Sequence, residues 1–420
     1  MATQFSLSTA TNLFKINYYK KSENVYNSAN VLQGRVKKKY DFTGKNRFIA
    51  TPMSFAGGVG AAVLPQPGVA NYSDALIYSK KVYATCQIDR EAMKASSDDQ
   101  GAFVRATKEV VQKCVESYMR NASRILFNDG TGILGRGAGT GDNVAGAGTS
   151  GSPYVVQIPL ASWNEANWEE RDLVQVVTGI SDSPTTGAGG AMEATLLEIV
   201  AVDPSTRKIS LVGTSSRLGT LTTADPLAAT DAIVMQGSYM ADPMGLKGIV
   251  DTASGSLYNI AVSRRWSANV KDVSGQGLIT DMMNELMLET ERKSGKAPNM
   301  IVTSYTQYRK LLNLLEDHKR YQLPARSSEL KGMISFSGIE FMSTRGPIGV
   351  FADRFCDADR MYFLNDESIE VHHRPGFGWF DDDGTVFLRT SGDAYEARYG
   401  GYYENYITPS FQACLKGLAI

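Results

Sequence analysis

Apolar residues recur at three- and four-residue steps through residues 98–128, which is the pattern of one face of an α-helix. Asp98 or Asp99 can cap the beginning of this helix. At a rise of 1.5 Å per residue the predicted helix is roughly 45 Å long, so we expect it to cross the molecule as a spine. The apolar stripe comprises Phe103, Val104, Val110, Val111, Cys114, Val115, Tyr118, Met119, Ala122, Ile125 and Leu126.

Residues 46–90 predict a long hairpin of two strands. Arg47 to Phe55 is strand-like, and Asp74 to Ile88 alternates between apolar and polar residues. Pro65 and Pro67 force a turn between them. A long hairpin with little core is marginally stable alone, so we expect it to pack on a neighbouring subunit. Residues 1–45 show no convincing period and are predicted to form an extended arm.

Residues 153–240 predict an inserted all-β domain. Short strands at this spacing are typical of a small barrel or sandwich. A hairpin turn is predicted at Asp203-Pro204-Ser205-Thr206, and the glycine-rich residues 129–152 are predicted to be a flexible connection. The strand candidates are Tyr154–Leu160, Leu173–Val177, Ala194–Val200, Lys208–Val212 and Ala232–Gln236.

The rest of the chain is a mixture of helices and strands, and together with the all-β insertion it gives the predicted fold class, α+β. One helix is predicted over 276–293, and a second begins after Ser304, which has capping-box spacing with Gln307. Strands are predicted at Met300–Thr303, Gly338–Ser343, Ile348–Phe351, Met361–Leu364, Ile369–His372, Thr385–Thr390 and Tyr395–Tyr406.

Composition and charge narrow the function. The 420 residues are 43% hydrophobic and 21% charged, which is enough for more than one folded domain. The net charge of −1 argues against a dedicated nucleic-acid binder, although residues 1–50 hold nine Lys or Arg and only two acidic residues. The densest basic run, Lys37, Lys38 and Lys39, is interpreted as a contact with DNA phosphates, a contact with an acidic patch on a neighbour, or a solvated arm.

The cysteines and the hydropathy of the chain define its expected environment. Cys86, Cys114, Cys356 and Cys414 form no C-x-x-C pair, and a buried free thiol is expected at Cys114, which suits a reducing cytoplasm. No stretch reaches about 18 apolar residues, so no membrane helix is expected.

Several local patterns resemble functional sites but have better structural interpretations. The G-x-G-x-x-G run at 130–135 follows the end of a helix, so it predicts a helix stop and not a dinucleotide loop. His372 and His373 point to opposite faces of a strand and are predicted to be exposed. Asp381-Asp382-Asp383-Gly384 predicts a hairpin turn, and the C-terminal aromatic residues predict core packing in a sheet. No catalytic, cofactor-binding or metal-binding residue is predicted.

The order of elements, from arm and hairpin through spine helix and β-region to a compact α/β region and returning strands, resembles the major capsid proteins of tailed bacteriophages. Encapsulins and the herpesvirus capsid floor share this fold. The local runs that carry the resemblance are Ile125–Gly132, Met300–Ser304 leading into Tyr308–Leu312, and Gly338–Phe341 followed by Phe351–Asp353.

The resemblance implies a domain plan for the chain. A peripheral domain contains the spine helix and the returning strands, an axial domain points to the centre of each capsomer, and the extended hairpin overlaps the adjacent subunit. The inserted β-domain departs from the minimal fold and is expected on the outer surface. The implied segments are 1–45 for the arm, 46–90 for the hairpin, 91–152, 241–275 and 366–420 for the peripheral domain, 153–240 for the insertion and 276–365 for the axial domain.

The resemblance also implies a function. The chain is expected to assemble as hexamers and pentamers into the icosahedral head of a tailed phage, enclosing dsDNA without sequence-specific contacts. A portal protein, a possible decoration protein and a separate scaffolding protein are expected partners, the last because only about 45 residues precede the hairpin. The expected location is the virion, with the host cytoplasm during assembly and no membrane.

Two alternatives stay open at the level of sequence. The first is an encapsulin-like compartment, which shares the fold. The second is a carbohydrate-acting enzyme with an accessory β-domain, which requires a cleft with paired carboxylates, and the sequence offers no recognisable pair. Lys80 and Lys81 lie on the hairpin, but no motif identifies partners for covalent crosslinking.

Overall fold

The computed structural model describes residues 31–54, 71–89, 100–137, 144–180, 190–220, 227–251, 255–317, 339–343, 346–375, 377–380, 388–389 and 394–420. The chain divides into two compact units. The first unit combines Met1–Arg47, Ile77–Leu126 and Glu370–Tyr406, and the second combines Phe48–Leu76, Phe127–Ile369 and Ile407–Ile420.

The described residues form both helices and strands, with several strands following one another before the next helix, which agrees with the predicted α+β class. The helices are α1 (Val31–Arg35), α2 (Gln100–Phe127), α3 (Ser216–Thr220), α4 (Leu246–Asp251), α5 (Thr280–Ser294) and α6 (Tyr305–Asp317). The strands are β1 (Lys37–Lys39), β2 (Asn46–Ser54), β3 (Asn71–Tyr78), β4 (Lys80–Asp89), β5 (Ile133–Arg136), β6 (Val144–Ala145), β7 (Tyr154–Gln157), β8 (Leu173–Thr178), β9 (Ala191–Met192), β10 (Leu197–Asp203), β11 (Lys208–Val212), β12 (Ala232–Met235), β13 (Ser256–Leu257), β14 (Ile260–Ala261), β15 (Asn269–Asp272), β16 (Met300–Thr303), β17 (Ile339–Ser343), β18 (Gly346–Ala352), β19 (Met361–Leu364), β20 (Ile369–His373), β21 (Gly378–Trp379), β22 (Leu388–Arg389), β23 (Ala394–Ile407) and β24 (Ala413–Lys416).

The first unit is a six-stranded sheet packed against the long helix α2. Its strand order is β1-β20-β23-β21, and both β4 and β22 also pair with β23. The ring of Tyr118 packs edge-on against Tyr399 of β23 with centroids 5.2 Å apart, whereas the side chains of Phe103 and Val104 lie outside the described part of the helix. The buried members of the predicted stripe are Val111, Cys114, Val115, Tyr118, Met119, Ala122, Ile125 and Leu126. The predicted spine helix is therefore confirmed, while Asp98 and Asp99 lie outside the described residues.

The hairpin differs from its prediction in its second strand. The stretch Asp74 to Ile88 forms two strands: β3 pairs with β2 in a two-stranded sheet, and β4 joins the sheet of the first unit. The buried positions change parity between them, from Ala75 and Ile77 in β3 to Val82 and Cys86 in β4. Because a strand alternates its faces with a period of two, this change requires a break between β3 and β4.

The insertion in the second unit forms one eight-stranded sheet in the order β5-β12-β8-β10-β11-β7-β6, with β9 on β8. Its predicted strands are confirmed, and Asp203 accepts hydrogen bonds from the Ser205 backbone N–H (3.0 Å) and the Thr206 hydroxyl (2.6 Å) in the predicted turn. The prediction of a flexible connection over 129–152 is wrong for residues 133–136, because β5 pairs with β12 and buries Leu134 in the core. Residues 138–143 lie outside the described part of the chain. A short helix, α3, also lies in this segment.

The second unit also contains a six-stranded sheet in the order β15-β24-β19-β16-β18-β17, covered by α5 and α6. The strands Met300–Thr303 and Met361–Leu364 have the predicted bounds, and Ser304 caps α6 by accepting from the Gln307 N–H at 3.3 Å. In contrast to the predicted return of 366–420 as one segment, β24 pairs with β15 and β19 and not with β20 or β23. No helix among the described residues is long and apolar enough to span a membrane.

Candidate functional site

The basic run Lys37–Lys39 forms a β-strand, not part of an extended arm. It pairs in parallel with β20, so that Lys37 lies opposite Glu370 and Lys39 opposite His372. Helix α1 precedes it, and Leu32, Val36 and Phe42 are buried on either side. The arm prediction is therefore wrong from residue 31 onward, because these apolar residues anchor the segment.

A series of ion pairs and hydrogen bonds connects this segment to the sheet. Lys39 Nζ lies 2.7 Å from Glu370 Oε2, and His372 lies between Glu370 and Asp41, with one ring nitrogen 3.2 Å from each carboxylate. Arg47 forms the last ion pair of this series, with its guanidinium nitrogen 2.6 Å from the Asp41 carboxylate. The His372 hydrogen bond, assisted by Lys39, lowers the pKa of Glu370 to about 2. Lys39 is thus paired with an acidic residue of the same protein, and contact of Lys37, Lys38 and Lys39 with DNA or a neighbouring subunit stays a prediction.

Both predicted strand histidines are buried, so the expectation of exposure is wrong. Strand β20 is paired with β1 on one edge and with β23 on the other, and neighbouring side chains cover both of its faces, so that His372 and His373 are only 1% and 2% exposed. His373 lies among aromatic rings, with Tyr40, Phe377 and Tyr403 centroids 5.2, 4.9 and 5.3 Å away. Burial lowers the pKa of His373 to about 4. The described residues include no group of three or more side chains that could hold a metal ion.

The hairpin strand β2 lacks buried positions. Each side chain from Asn46 to Met53 is exposed or half-buried. Phe48 on β2 is 61% exposed and Tyr72 on β3 is 62% exposed. Large aromatic side chains dominate the energetics of cores and interfaces when they are covered. This strand pair therefore has apolar surface that it does not cover by itself.

A polar cavity of about 340 Å³ lies in the second unit. Arg360 donates two hydrogen bonds to the Asp251 carboxylate, at 3.1 and 2.9 Å, and Lys247 binds Asp357 at 3.0 Å. Burial raises the pKa of Asp357, but Lys247 and Arg360 outweigh it and the net pKa is lowered. A general acid needs the opposite shift. The lining comprises Asn128, Asp129, Ile133, Leu134, Gly135, Arg136, Ala161, Ser162, Asn167, Lys247, Asp251, Asp357, Arg360 and Lys416.

The glycine run at 130–135 ends helix α2, as predicted. Gly130 and Gly132 have φ values of 81° and 78°, a region that favours glycine. A Cβ at Gly132 would lie 2.2 Å from the Ser238 hydroxyl and 2.3 Å from its carbonyl oxygen. The run therefore serves a sharp turn and a close approach of two backbone segments. The Asp381–Gly384 turn lies outside the described residues.

The C-terminal aromatic residues belong to the interior. Tyr399, Tyr403 and Tyr406 are buried in strand β23. This confirms core packing as the role of these three side chains. The four cysteines are free and buried.

Solved structures with similar folds are capsid and particle structures. A chain of the cyanophage A-1(L) capsid asymmetric unit aligns with 95% of this chain and 93% of its own length, with 11% identity and a TM-score of 0.53. A chain of the satellite phage P4 procapsid, which includes the size determination protein Sid, covers 100% of this chain and 98% of its own length at 8% identity and a TM-score of 0.40. A chain of a virus-like particle from Pyrococcus furiosus covers 94% of this chain and 96% of its own length, at 8% identity and a TM-score of 0.41.

These similarities are structural. No protein-family model matches the chain, and no curated protein matches it. The cyanophage chain alone among these three exceeds a TM-score of 0.5, and it spans almost the full length of both proteins. The element order that resembles tailed-phage capsid proteins thus has a counterpart in three dimensions, and the chain has the phage capsid fold.

Proposed function

We propose that this chain is the major capsid protein of a tailed bacteriophage. It assembles as hexamers and pentamers into the icosahedral head that encloses the dsDNA genome. The observation that carries the proposal is the fold shared with the cyanophage A-1(L) capsid chain over 95% of this sequence. Scaffolding, portal and decoration proteins are the further partners that this function requires or accepts.

In this proposal the domain plan follows the resemblance. The hairpin of β2 and β3 is the extended loop that lies on an adjacent subunit, and α2 is the spine of the peripheral domain. The sheet around β16 and β19 is the axial domain, and the eight-stranded insertion lies on the outer surface. Subunits of one sequence occupy quasi-equivalent positions in the hexamers and pentamers, so in this proposal a neighbour covers the exposed strand pair at each position.

The exposed aromatic side chains of the hairpin support this assignment. Full burial of a large apolar side chain contributes about 1.5–3 kcal/mol. Phe48 and Tyr72 leave most of their surface uncovered, at 61% and 62%. Covering both on a neighbour therefore contributes on the order of 3 kcal/mol per subunit. A contribution of this size lowers the concentration at which shells form by about a hundredfold.

Assembly of the purified chain tests the proposal. The full chain is expressed with and without the scaffolding protein, and the products are examined by negative-stain electron microscopy and light scattering. We expect closed shells of uniform size. A chain that stays monomeric at every concentration and with the scaffold present contradicts the proposal.

A hairpin variant tests the role of the exposed aromatic residues. The double variant F48S/Y72S is expected to keep the circular dichroism of the parent chain and to raise the critical assembly concentration by about a hundredfold. The control is V200T, at a 48% exposed apolar position on strand β10 of the insertion. Equal critical concentrations for the hairpin variant and the parent chain would show that the hairpin is not an assembly contact.

A further inference from the structure

The base of the long hairpin is attached to a second, shorter hairpin in the same unit. The backbone N–H of Leu76 on β3 donates a hydrogen bond of 2.9 Å to the carbonyl oxygen of Tyr258. Tyr258 lies in the two-residue turn between β13 and β14, where Leu257 pairs with Ile260. Strand β3 is therefore bound to β2 along its length and to this turn at its base.

The turn holds its two central residues in a conformation that suits glycine. Tyr258 and Asn259 have φ values of 52° and 65°. A two-residue hairpin turn with positive φ at both positions favours Asn-Gly, and a bulky side chain adopts this conformation only at a cost. Such residues persist where the surrounding structure holds them in place. The direction of the Tyr258 carbonyl group is therefore imposed by its neighbours.

Trp266 connects the short hairpin to the rest of the second unit. Its indole N–H donates a hydrogen bond of 3.1 Å to the Leu257 carbonyl oxygen, and its side chain is 1% exposed. Lys293 of helix α5 donates to the carbonyl oxygens of Ser267 and Ala268, at 2.9 and 3.3 Å. Because Ala268 directly precedes β15, the turn is connected through Trp266 to the six-stranded sheet.

The long hairpin depends on this attachment because its described side chains bury little surface beyond it. On β3 the buried side chains are Ala75 and Ile77, on either side of Leu76, whereas Tyr72 is 62% exposed. At about 3.3 Å per residue, Asn71 at the beginning of β3 lies about 17 Å from Leu76, so a tilt of about 10° at the base displaces it by about 3 Å. A small change at the turn is therefore a large change at the exposed end.

We propose that the Tyr258–Asn259 turn sets the direction of the hairpin and thereby controls assembly. The Tyr258 carbonyl group holds Leu76, so that Phe48 and Tyr72 are presented in the orientation in which a neighbouring copy covers them. The effect on assembly rests on the proposed function, whereas the attachment of the hairpin to the turn does not. Tyr258 is a positioning residue, because it acts through the backbone of β3.

Two substitutions of Tyr258 separate its backbone conformation from its side chain. Y258G removes the side chain and adopts positive φ readily, so it should retain the turn. Y258P fixes φ near about −65°, which is incompatible with the turn, and should release Leu76. N259G, which also adopts positive φ readily, is the matched control at the second position of the turn.

Hydrogen exchange at the Leu76 amide tests the attachment in the unassembled full chain. We expect slow exchange in the parent chain, Y258G and N259G, and exchange at least about tenfold faster in Y258P, with the amides of β16 and β19 still protected. Equal protection of Leu76 in Y258P and Y258G would overturn the proposal.

A second variant keeps the test decisive if Y258P also loses protection in β16 and β19. W266F removes the indole N–H and keeps an aromatic ring, and it should increase the exchange rate at Leu76 by about threefold. An unchanged rate in W266F would then count against the proposal in the same way.

The critical assembly concentration, measured by light scattering with the scaffolding protein, tests the consequence. Y258P should raise it by about tenfold, while Y258G and N259G stay within about twofold of the parent chain. In the F48S/Y72S background Y258P should add less, because the side chains that it orients are already removed.

The outcomes separate this inference from the proposed function. Shells that form equally well from Y258P and Y258G, or an equal tenfold increase in both backgrounds, would overturn the inference and leave the proposed function intact. A parent chain that forms no shells contradicts the proposed function instead, and exchange at Leu76 still decides whether the turn holds the hairpin.

Discussion

Replacement of His373 by phenylalanine should remove a pH-dependent loss of stability. His373 is 2% exposed and lies among the rings of Tyr40, Phe377 and Tyr403. Within the described residues neither of its ring nitrogens has a hydrogen-bond partner. Phenylalanine fills similar space without a polar atom, so H373F is expected to be as stable as the parent chain, or more stable, at pH 7.

The size of the effect follows from the pKa of His373, which burial lowers from 6.5 to about 4. The folded chain keeps the ring neutral, whereas the unfolded chain takes up a proton near pH 6.5. The stability that the folded chain gains by keeping His373 neutral is therefore fully present above about pH 6.5, and it is lost as the pH falls toward 4. At 1.36 kcal/mol per unit, the parent chain should lose about 2 kcal/mol more than H373F between pH 7 and pH 5.

Urea unfolding at a series of pH values between 7 and 5 measures this difference. Of the four tryptophans only Trp379 belongs to the first unit, so a fluorine label on tryptophan resolves the unfolding of that unit. The window lies above the ordinary carboxylate range, and the comparison with H373F cancels other groups. A proton NMR titration of His373 provides an independent control and should show a neutral ring at pH 5.

The reasoning fails if the parent chain and H373F lose stability equally over this window. It also fails if the His373 resonance titrates near pH 6.5, because a buried ring without partners cannot hold a proton at that pH without cost. Either result would mean that the aromatic rings around His373 admit water.

Two further substitutions test the packing of the second unit. G132A would place a Cβ 2.2 Å from the Ser238 hydroxyl and 2.3 Å from its carbonyl oxygen, on a residue whose backbone is left-handed. We therefore expect the free energy of unfolding in urea to fall by at least about 3 kcal/mol. G277A, where a Cβ meets nothing within 4 Å, is its control. R360M leaves the Asp251 carboxylate without its two hydrogen bonds and should cost about 3 kcal/mol, whereas K271M, which breaks an exposed ion pair, should cost less than about 0.5 kcal/mol. A similar loss in each variant and its control would refute these assignments.

The elements that sequence predicts with correct bounds are short apolar runs between turn signals. Met300–Thr303 and Met361–Leu364 are buried at every position, and Lys208–Val212 alternates with a period of two. In each case the local pattern of apolar and polar residues predicts the strand, because that pattern decides which side chains are buried. The long helix is predicted for the same reason.

The elements that sequence misses depend on partners far along the chain. Lys37–Lys39 becomes a strand because it pairs with residues 370–372, and the residues that follow it help to cover both histidines: Asp41 lies 3.2 Å from His372, and the ring of Tyr40 lies 5.2 Å from that of His373. A run of three lysines has little strand propensity of its own, so tertiary pairing decides its structure.

The first unit is built from three separate stretches of the chain, and this fixes the order in which the unit can fold during synthesis. Strand β4 must wait for β23, more than three hundred residues later, before its backbone finds a partner. On the ribosome, the contiguous eight-stranded insertion has emerged in full long before that point. A nascent chain therefore exposes an unpaired edge and an uncovered helix until residue 407 is synthesised, and slow closure of distant contacts makes this the interval most open to misfolding.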